Sequence, residues 1–340
     1  MFDRLFQWLG RLRTWLAVRL GLLRGQWRRG RVVVPSARLF PGLLANNVWS
    51  YGLYCPRALR DDMPAPLVVL LHGCKQRALG FAQASGWTRA ADTHRFRLLC
   101  PEQRRRANLW RCWNWFTPAA QRGGGELDVV RAMLDDAGRH VAVRADAVAT
   151  VGLSAGGALA ALLAFHAADR LGAVIAVAAP PLLGRFNAQD PRDVMRHGLR
   201  VAPGLALGAA REAAPLLVLH GGADEVVSPR CAAQLVEQAL QAGARAGRIL
   251  QSADHAPAPG LAQTDYRDAG GLLRLRALQI EALGHVWSGS SGSHPFVQAG
   301  GAALTHLALQ FLQEVGLLPL RARATRRDAG ATAGAPAAGT

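Results

Sequence analysis

The sequence predicts an α/β protein with a mostly parallel central sheet and helices on both faces. Three observations predict it. Short runs such as Leu67-Val68-Val69-Leu70-Leu71 and Leu216-Leu217-Val218-Leu219 are apolar throughout, as strands covered on both faces are. Stretches of helical composition and period separate them, so strands and helices alternate. The polar residues able to carry chemistry fall just past the ends of the apolar runs, where sites form in open parallel sheets.

In chain order, residues 1–30 form a separate segment. Phe2, Leu5, Phe6, Leu9, Leu12, Leu16, Leu20 and Leu23 recur at helical steps among arginines, with Trp8, Trp15 and Trp27. This reads as a basic amphipathic helix, suited to a membrane or granule surface or to docking on the domain's own core. Its arginines interrupt any apolar run that would span a bilayer or make a clean secretory signal. Residues 31–320 are expected to form the catalytic domain. Strands are predicted at 32–34, 48–53, 67–71, 96–100, 148–151, 173–178, 216–219 and 273–282. Helices are predicted at 81–95, 127–140, 158–168, 229–242 and 300–315. Residues 101–125 read as a long loop rich in Arg and Trp, 182–211 as a cap or lid insertion, and 251–271 as polar loop. Residues 321–340, rich in Ala, Gly and Arg, read as a disordered tail.

The 340 residues carry a net charge of +17, and Lys75 is the only lysine. Such a charge favours anionic partners, but here it reads first as a bias toward arginine. Nucleic-acid binding through Arg104-Arg105-Arg106 and nearby tryptophans is not expected. The five cysteines are scattered, without a C-x-x-C pair, so a disulfide-scaffolded fold is excluded. The ten histidines are dispersed, and neither a metal nor a cofactor is expected.

The sharpest motif is Gly152-Leu153-Ser154-Ala155-Gly156, between an apolar strand and a small-residue helix. A serine on such a turn is lifted clear of the sheet, beside the unpaired N–H groups of a helix start. Asp224 follows the strand ending at Leu219, and His285 follows the last strand. The order Ser, Asp, His is that of the α/β-hydrolases. Ser154 is the expected nucleophile, His285 the base that takes its proton, and Asp224 the carboxylate that orients the imidazole, with Glu225 an adjacent rival. The N–H groups of Ala155 and Cys74 are the expected oxyanion donors. Trp113, Trp115 and Trp287, with Trp110, are candidates for the substrate wall, core packing being the alternative. His72 reads as shaping the oxyanion loop, and His220, His255 and His294 as surface or loop residues.

Around these residues stand Leu71-His72-Gly73-Cys74, Cys100-Pro101-Glu102-Gln103, Arg111-Cys112-Trp113-Asn114-Trp115-Phe116, Gly123-Gly124-Gly125-Glu126 and Gly284-His285-Val286-Trp287-Ser288-Gly289. Over roughly residues 49–289 the chain resembles the poly(3-hydroxybutyrate) depolymerase family of esterases, a branch of the α/β-hydrolases. The resemblance implies a serine esterase with Ser154, Asp224 and His285 as triad and Gly73-Cys74 as oxyanion loop. It also implies a disulfide between Cys74 and Cys112 and an exported protein, the alternative being a cytoplasmic one peripheral to a membrane or granule. The implied substrate is a hydroxyalkanoate oligomer or polymer. Alternatives are a feruloyl- or acetyl-carbohydrate ester, a short-chain ester, and a surface-binding protein with no esterase role.

Overall fold

The computed structural model describes residues 24–34, 47–184, 189–200, 213–290 and 294–319. Their centre is a ten-stranded sheet. Its strands are β1 (Gln26–Val33), β2 (Val48–Cys55), β3 (Ala65–Leu71), β4 (Arg97–Glu102), β5 (Val143–Leu153), β6 (Ala173–Val177), β7 (Leu216–Gly221), β8 (Gln251–Ala258), β9 (Leu261–Arg267) and β10 (Leu273–Ile280). The spatial order is β1-β2-β4-β3-β5-β6-β7-β10-β9-β8. Every pairing from β4 across to β10 is parallel, and the strands flanking that block are antiparallel. The apolar runs are these parallel strands: β3, β6 and β7 are buried at every position.

Helices cover both faces, because a sheet apolar on both sides must bury both. On one face lie α4 (Glu126–His140), α5 (Ala155–His166) and α7 (Pro229–Arg245), packing Leu127, Val130, Leu159, Leu162 and Leu235. On the other lie α1 (Ala78–Ala84), α2 (Trp87–His94) and α8 (Leu304–Glu314), packing Phe81, Trp87, Leu309 and Phe311. Two short helices, α3 (Pro118–Gln121) and α6 (Pro191–His197), lie in the connections, and a small pair, β11 (Trp287–Ser290) with β12 (Val297–Ala299), follows β10. Helix α5 is buried from Ala155 through Phe165. Its alanines and glycines let it lie close against the central strands.

Three readings from sequence are corrected. Residues 26–30 are not the end of a helix: Trp27, Arg28 and Arg29 belong to β1, which pairs with β2 from Gln26 opposite Cys55 to Val33 opposite Val48. The edge position explains the missed signal, since a strand with one exposed face tolerates arginines that mimic an amphipathic helix. The helix expected at 81–95 is two helices, broken where Gly86 adopts φ +83°. The polar stretch 251–271 is a hairpin, β8–β9, that extends the sheet. All eight residues of β8 are exposed, so burial never imposed an apolar pattern on them. The stretch 182–211, read as a cap or lid insertion, contains α6 among its described residues. Residues 1–23, read as amphipathic helix, and 321–340, read as tail, lie outside the described residues, as do 185–188 and 201–212 of the insertion.

Candidate active site

The parallel strands β3, β5, β7 and β10 all end at one rim of the sheet, and each delivers one part of the site. Strand β5 runs into Ser154, which has φ +57° and ψ −121°, a conformation a non-glycine residue rarely adopts. The Ser154 N–H donates to the carbonyl of Val177 on the neighbouring strand at 2.8 Å, which fixes the turn. Gly156 allows the close crossing: a Cβ there would lie 2.4 Å from the Leu71 carbonyl oxygen. Ala155 opens α5, so its N–H is among those with no carbonyl of its own helix to bind.

Strand β7 leads to Asp224, and β10 leads to His285. The imidazole Nε2 of His285 lies 2.9 Å from Ser154 Oγ, and its Nδ1 lies 2.8 Å from Asp224 Oδ2. Asp224 Oδ1 accepts from the N–H groups of Val226 and Val227 at 2.9 and 2.8 Å. Burial alone would raise the Asp224 pKa, but the His285 contact and these two N–H donors outweigh it and hold the carboxyl below its ordinary range. Glu225, the sequence rival, is exposed. Three residues 61 and 131 positions apart along the chain therefore form one hydrogen-bonded line.

Strand β3 delivers the loop His72-Gly73-Cys74. A Cβ on Gly73 would lie 3.6 Å from Ser154 Cβ, so this loop abuts the serine. The Gly73 N–H donates to Gln76 Oε1 at 2.7 Å. Cys74 is joined to Cys112 through a disulfide, which ties this loop to the 104–116 segment. His72 is fully buried, with Nδ1 2.8 Å from the Gly73 carbonyl oxygen and Nε2 3.2 Å from the Gln103 nitrogen. Nδ1 must donate and Nε2 must accept, so the ring is held in one neutral tautomer.

Burial pushes the His72 pKa from 6.5 down to about 4, the Gly73 contact opposing it. Folding therefore excludes a proton that the unfolded chain binds below pH 6.5. The stability His72 confers is complete above 6.5 and is lost as pH falls toward 4. The loss expected over that window is about 3 kcal/mol. Urea midpoints taken from neutral pH to about pH 4 should fall more steeply in the wild type than in His72→Asn. Coincident pH slopes would remove this account.

The tryptophans are a correction. Trp113, Trp115 and Trp287 are 0, 3 and 0% exposed, so as they stand they are core residues and not a substrate wall. Trp113 Nε1 donates to the His72 carbonyl at 3.1 Å and so braces the loop from beneath. Trp287 packs against Phe81 and Trp87 on the opposite face of the sheet. Trp110 and Phe116, 63 and 36% exposed, are the aromatics of that segment that face solvent.

Sequence reasoning missed three supports. His220 is buried, not a surface residue: its Nε2 donates to the Val227 carbonyl at 2.8 Å and lies 3.4 Å from Asp224 Oδ2. It thus holds the turn whose N–H groups grip Asp224. The buried Glu126 accepts from Gln103 Nε2, Asn114 N and Asn114 Nδ2 at 2.6–2.7 Å, fixing the segment that carries Cys112. Phe296 sets its ring edge-to-face with His285 at 5.8 Å. The position of His220 at a strand end was the available signal for the first, and the Gly123-Gly124-Gly125-Glu126 motif for the second; nothing local marks Phe296. Among the described residues, no group of three or more His, Cys, Asp and Glu side chains is placed to hold a metal ion.

Known proteins resemble the chain in sequence and in fold. Residues 49–249 match the sequence profile of the family described as esterase PHB depolymerase. Poly(3-hydroxyalkanoate) depolymerase C of Paucimonas lemoignei is 30% identical over 189 residues, covering 52% of this chain and 45% of that protein. A poly(3-hydroxybutyrate) depolymerase of Ralstonia pickettii is 26% identical over 241 residues, covering 66% and 49%. The chain thus spans about half the length of the curated relatives it matches. Among solved structures, an acetyl xylan esterase from Aspergillus awamori superposes with a TM-score of 0.63 at 13% identity, covering 85% of this chain and 99% of that one. A poly(3-hydroxybutyrate) depolymerase from Bordetella parapertussis superposes at 0.51 with 18% identity, covering 80% and 88%. These structural likenesses establish the α/β-hydrolase fold.

Proposed function

Since the chain belongs to the esterase PHB depolymerase family, we propose that it is a serine hydrolase of carboxylic esters, with Ser154, His285 and Asp224 as its triad. The observation that carries the reading is the His285 ring, bonded at one nitrogen toward Ser154 Oγ and at the other to Asp224.

The chemistry follows from that line. His285 Nε2 takes the Ser154 proton as Oγ bonds to the ester carbonyl carbon. The negative charge that develops on the carbonyl oxygen falls to the N–H groups of Ala155 and Cys74. Asp224 stabilises the imidazolium and holds its tautomer. Collapse breaks the bond to the alcohol oxygen, which receives the proton from His285, and leaves an acyl-serine. Water then attacks with His285 again as base, releasing the acid and restoring the serine.

The substrate is a hydroxyalkanoate oligomer or polymer, a reading supported by the named activities of the two curated relatives. Export is supported by the Cys74–Cys112 disulfide, a bond that persists in oxidising compartments. Among the described residues no helix is long and apolar enough to cross a membrane. Attachment to a membrane or granule through residues 1–30 would have to rest on residues 1–23.

The test is covalent capture. A fluorophosphonate should label the protein once, and peptide mapping should put the adduct on Ser154. Labelling should disappear when His285 is replaced by Ala. An adduct on another serine would sink the assignment.

A further inference from the structure

Lys75 is the only lysine of the chain, and it sits one residue beyond Cys74. Its backbone has φ +63°, in the left-handed region that side chains other than glycine avoid. That conformation is held from two sides. The Lys75 N–H donates to the Trp110 carbonyl at 2.6 Å, and the neighbouring Cys74 is bonded to Cys112. A side chain is therefore kept where glycine would be easier. The side chain is exposed, and its Nζ stands 5.0 Å from the centre of the Trp110 ring, itself open to solvent. Such a stack orients the ammonium without neutralising it.

No carboxylate competes for it among the described residues. The acid of this neighbourhood, Glu102, pairs with Arg111 at 2.6 Å and accepts the Ala78 N–H at 2.8 Å. Arg105 and Arg106, exposed on the same segment, add positive potential. The position is also near the nucleophile along the chain. Gly73 abuts Ser154, and Lys75 follows two residues later on a flexible four-carbon stem.

We propose that Lys75, oriented by Trp110, is a carboxylate-binding subsite at the rim of the active site. The favoured substrates are then esters that carry a free carboxylate a few bonds from the scissile carbonyl, as short hydroxy-acid oligomers do at their acid end. This rests on the reading of Ser154 as nucleophile and of Cys74 as oxyanion donor. Nothing in the reaction changes: the ammonium binds and places the anion while the ester is cut as described above.

The experiment uses two matched pairs of esters. The linear dimer of 3-hydroxybutyrate is paired with its terminal carboxamide, so the charge lies on the alcohol side. Monomethyl adipate is paired with methyl adipamate, so the charge lies on the acyl side. Kinetics are measured for the full chain and for Lys75→Gln and Lys75→Glu. The wild type should favour the anion in one pair by about fivefold, expressed in KM, the size of an exposed ion pair. High salt should erase that preference. Lys75→Gln should bring the ratio near one, and Lys75→Glu should invert it. Brisk hydrolysis of the neutral esters without an anion preference in either pair overturns the subsite alone, as does a preference that survives Lys75→Gln. No hydrolysis of any of the four esters by protein that a fluorophosphonate still labels on Ser154 overturns the subsite and leaves the nucleophile standing, whereas no hydrolysis and no labelling of Ser154 overturns both.

Discussion

Ser154→Ala is expected to abolish hydrolysis of 4-nitrophenyl butyrate while leaving the fold intact. The loss in kcat should be about 10^5- to 10^6-fold, the size found when a triad serine is removed, because the acyl intermediate forms on the oxygen that is lost. The His285 Nε2 would then face a methyl group while its other nitrogen still held Asp224. The substitution removes one oxygen from a site whose backbone is fixed elsewhere, by the Ser154 N–H bond to Val177. Urea unfolding should therefore move by no more than about 1 kcal/mol. Turnover retained in a folded variant would refute the nucleophile, whatever the geometry. Loss of turnover together with loss of the fold would be uninformative, so the unfolding curve belongs in the same experiment.

Gly152→Ala should have the largest effect on stability. A Cβ at this position would lie 2.1 Å from the Gly156 carbonyl oxygen and 2.3 Å from its carbon, both backbone atoms of the first turn of α5. No side chain can rotate to make room. Helix α5 would have to move off the sheet, and it is buried along nearly its whole length. A cost of about 4 kcal/mol or more is expected, enough to remove most of the soluble protein. Gly138→Ala is the contrast. It lies in α4, exposed, with nothing within 4 Å of the added carbon. There the substitution should stabilise by about 0.5–1 kcal/mol. Equal behaviour of the two variants would mean that the crossing at the serine turn is not tight.

The site was legible to the extent that its parts sit at ends of apolar strands. Ser154, Asp224 and His285 each follow such a run, and the structure brings all three together. The tryptophans were not legible in the same way. An indole looks alike in sequence whether it lines a cleft or packs beneath one, and Trp113 turned out to hold the His72 carbonyl from inside. His220 failed for a related reason. Its worth lies in the 2.8 Å contact with Val227 and its place behind Asp224, and its strand-end position signalled a role without fixing either contact.

The amino-acid sequence by itself determined the parallel strands, their alternation with helices, and the turn that carries Ser154. Each of these is a local consequence of apolar runs, helical period and small residues flanking one serine. Only the tertiary structure decided which aromatic side chains are core, and that the polar stretch 251–271 adds two strands to the sheet. It also set the loop of His72, Gly73 and Cys74 against the nucleophile. The physical reason is range. Periodicity and turn chemistry act within a few residues, whereas burial and hydrogen bonding across the sheet rim depend on partners brought together from distant parts of the chain.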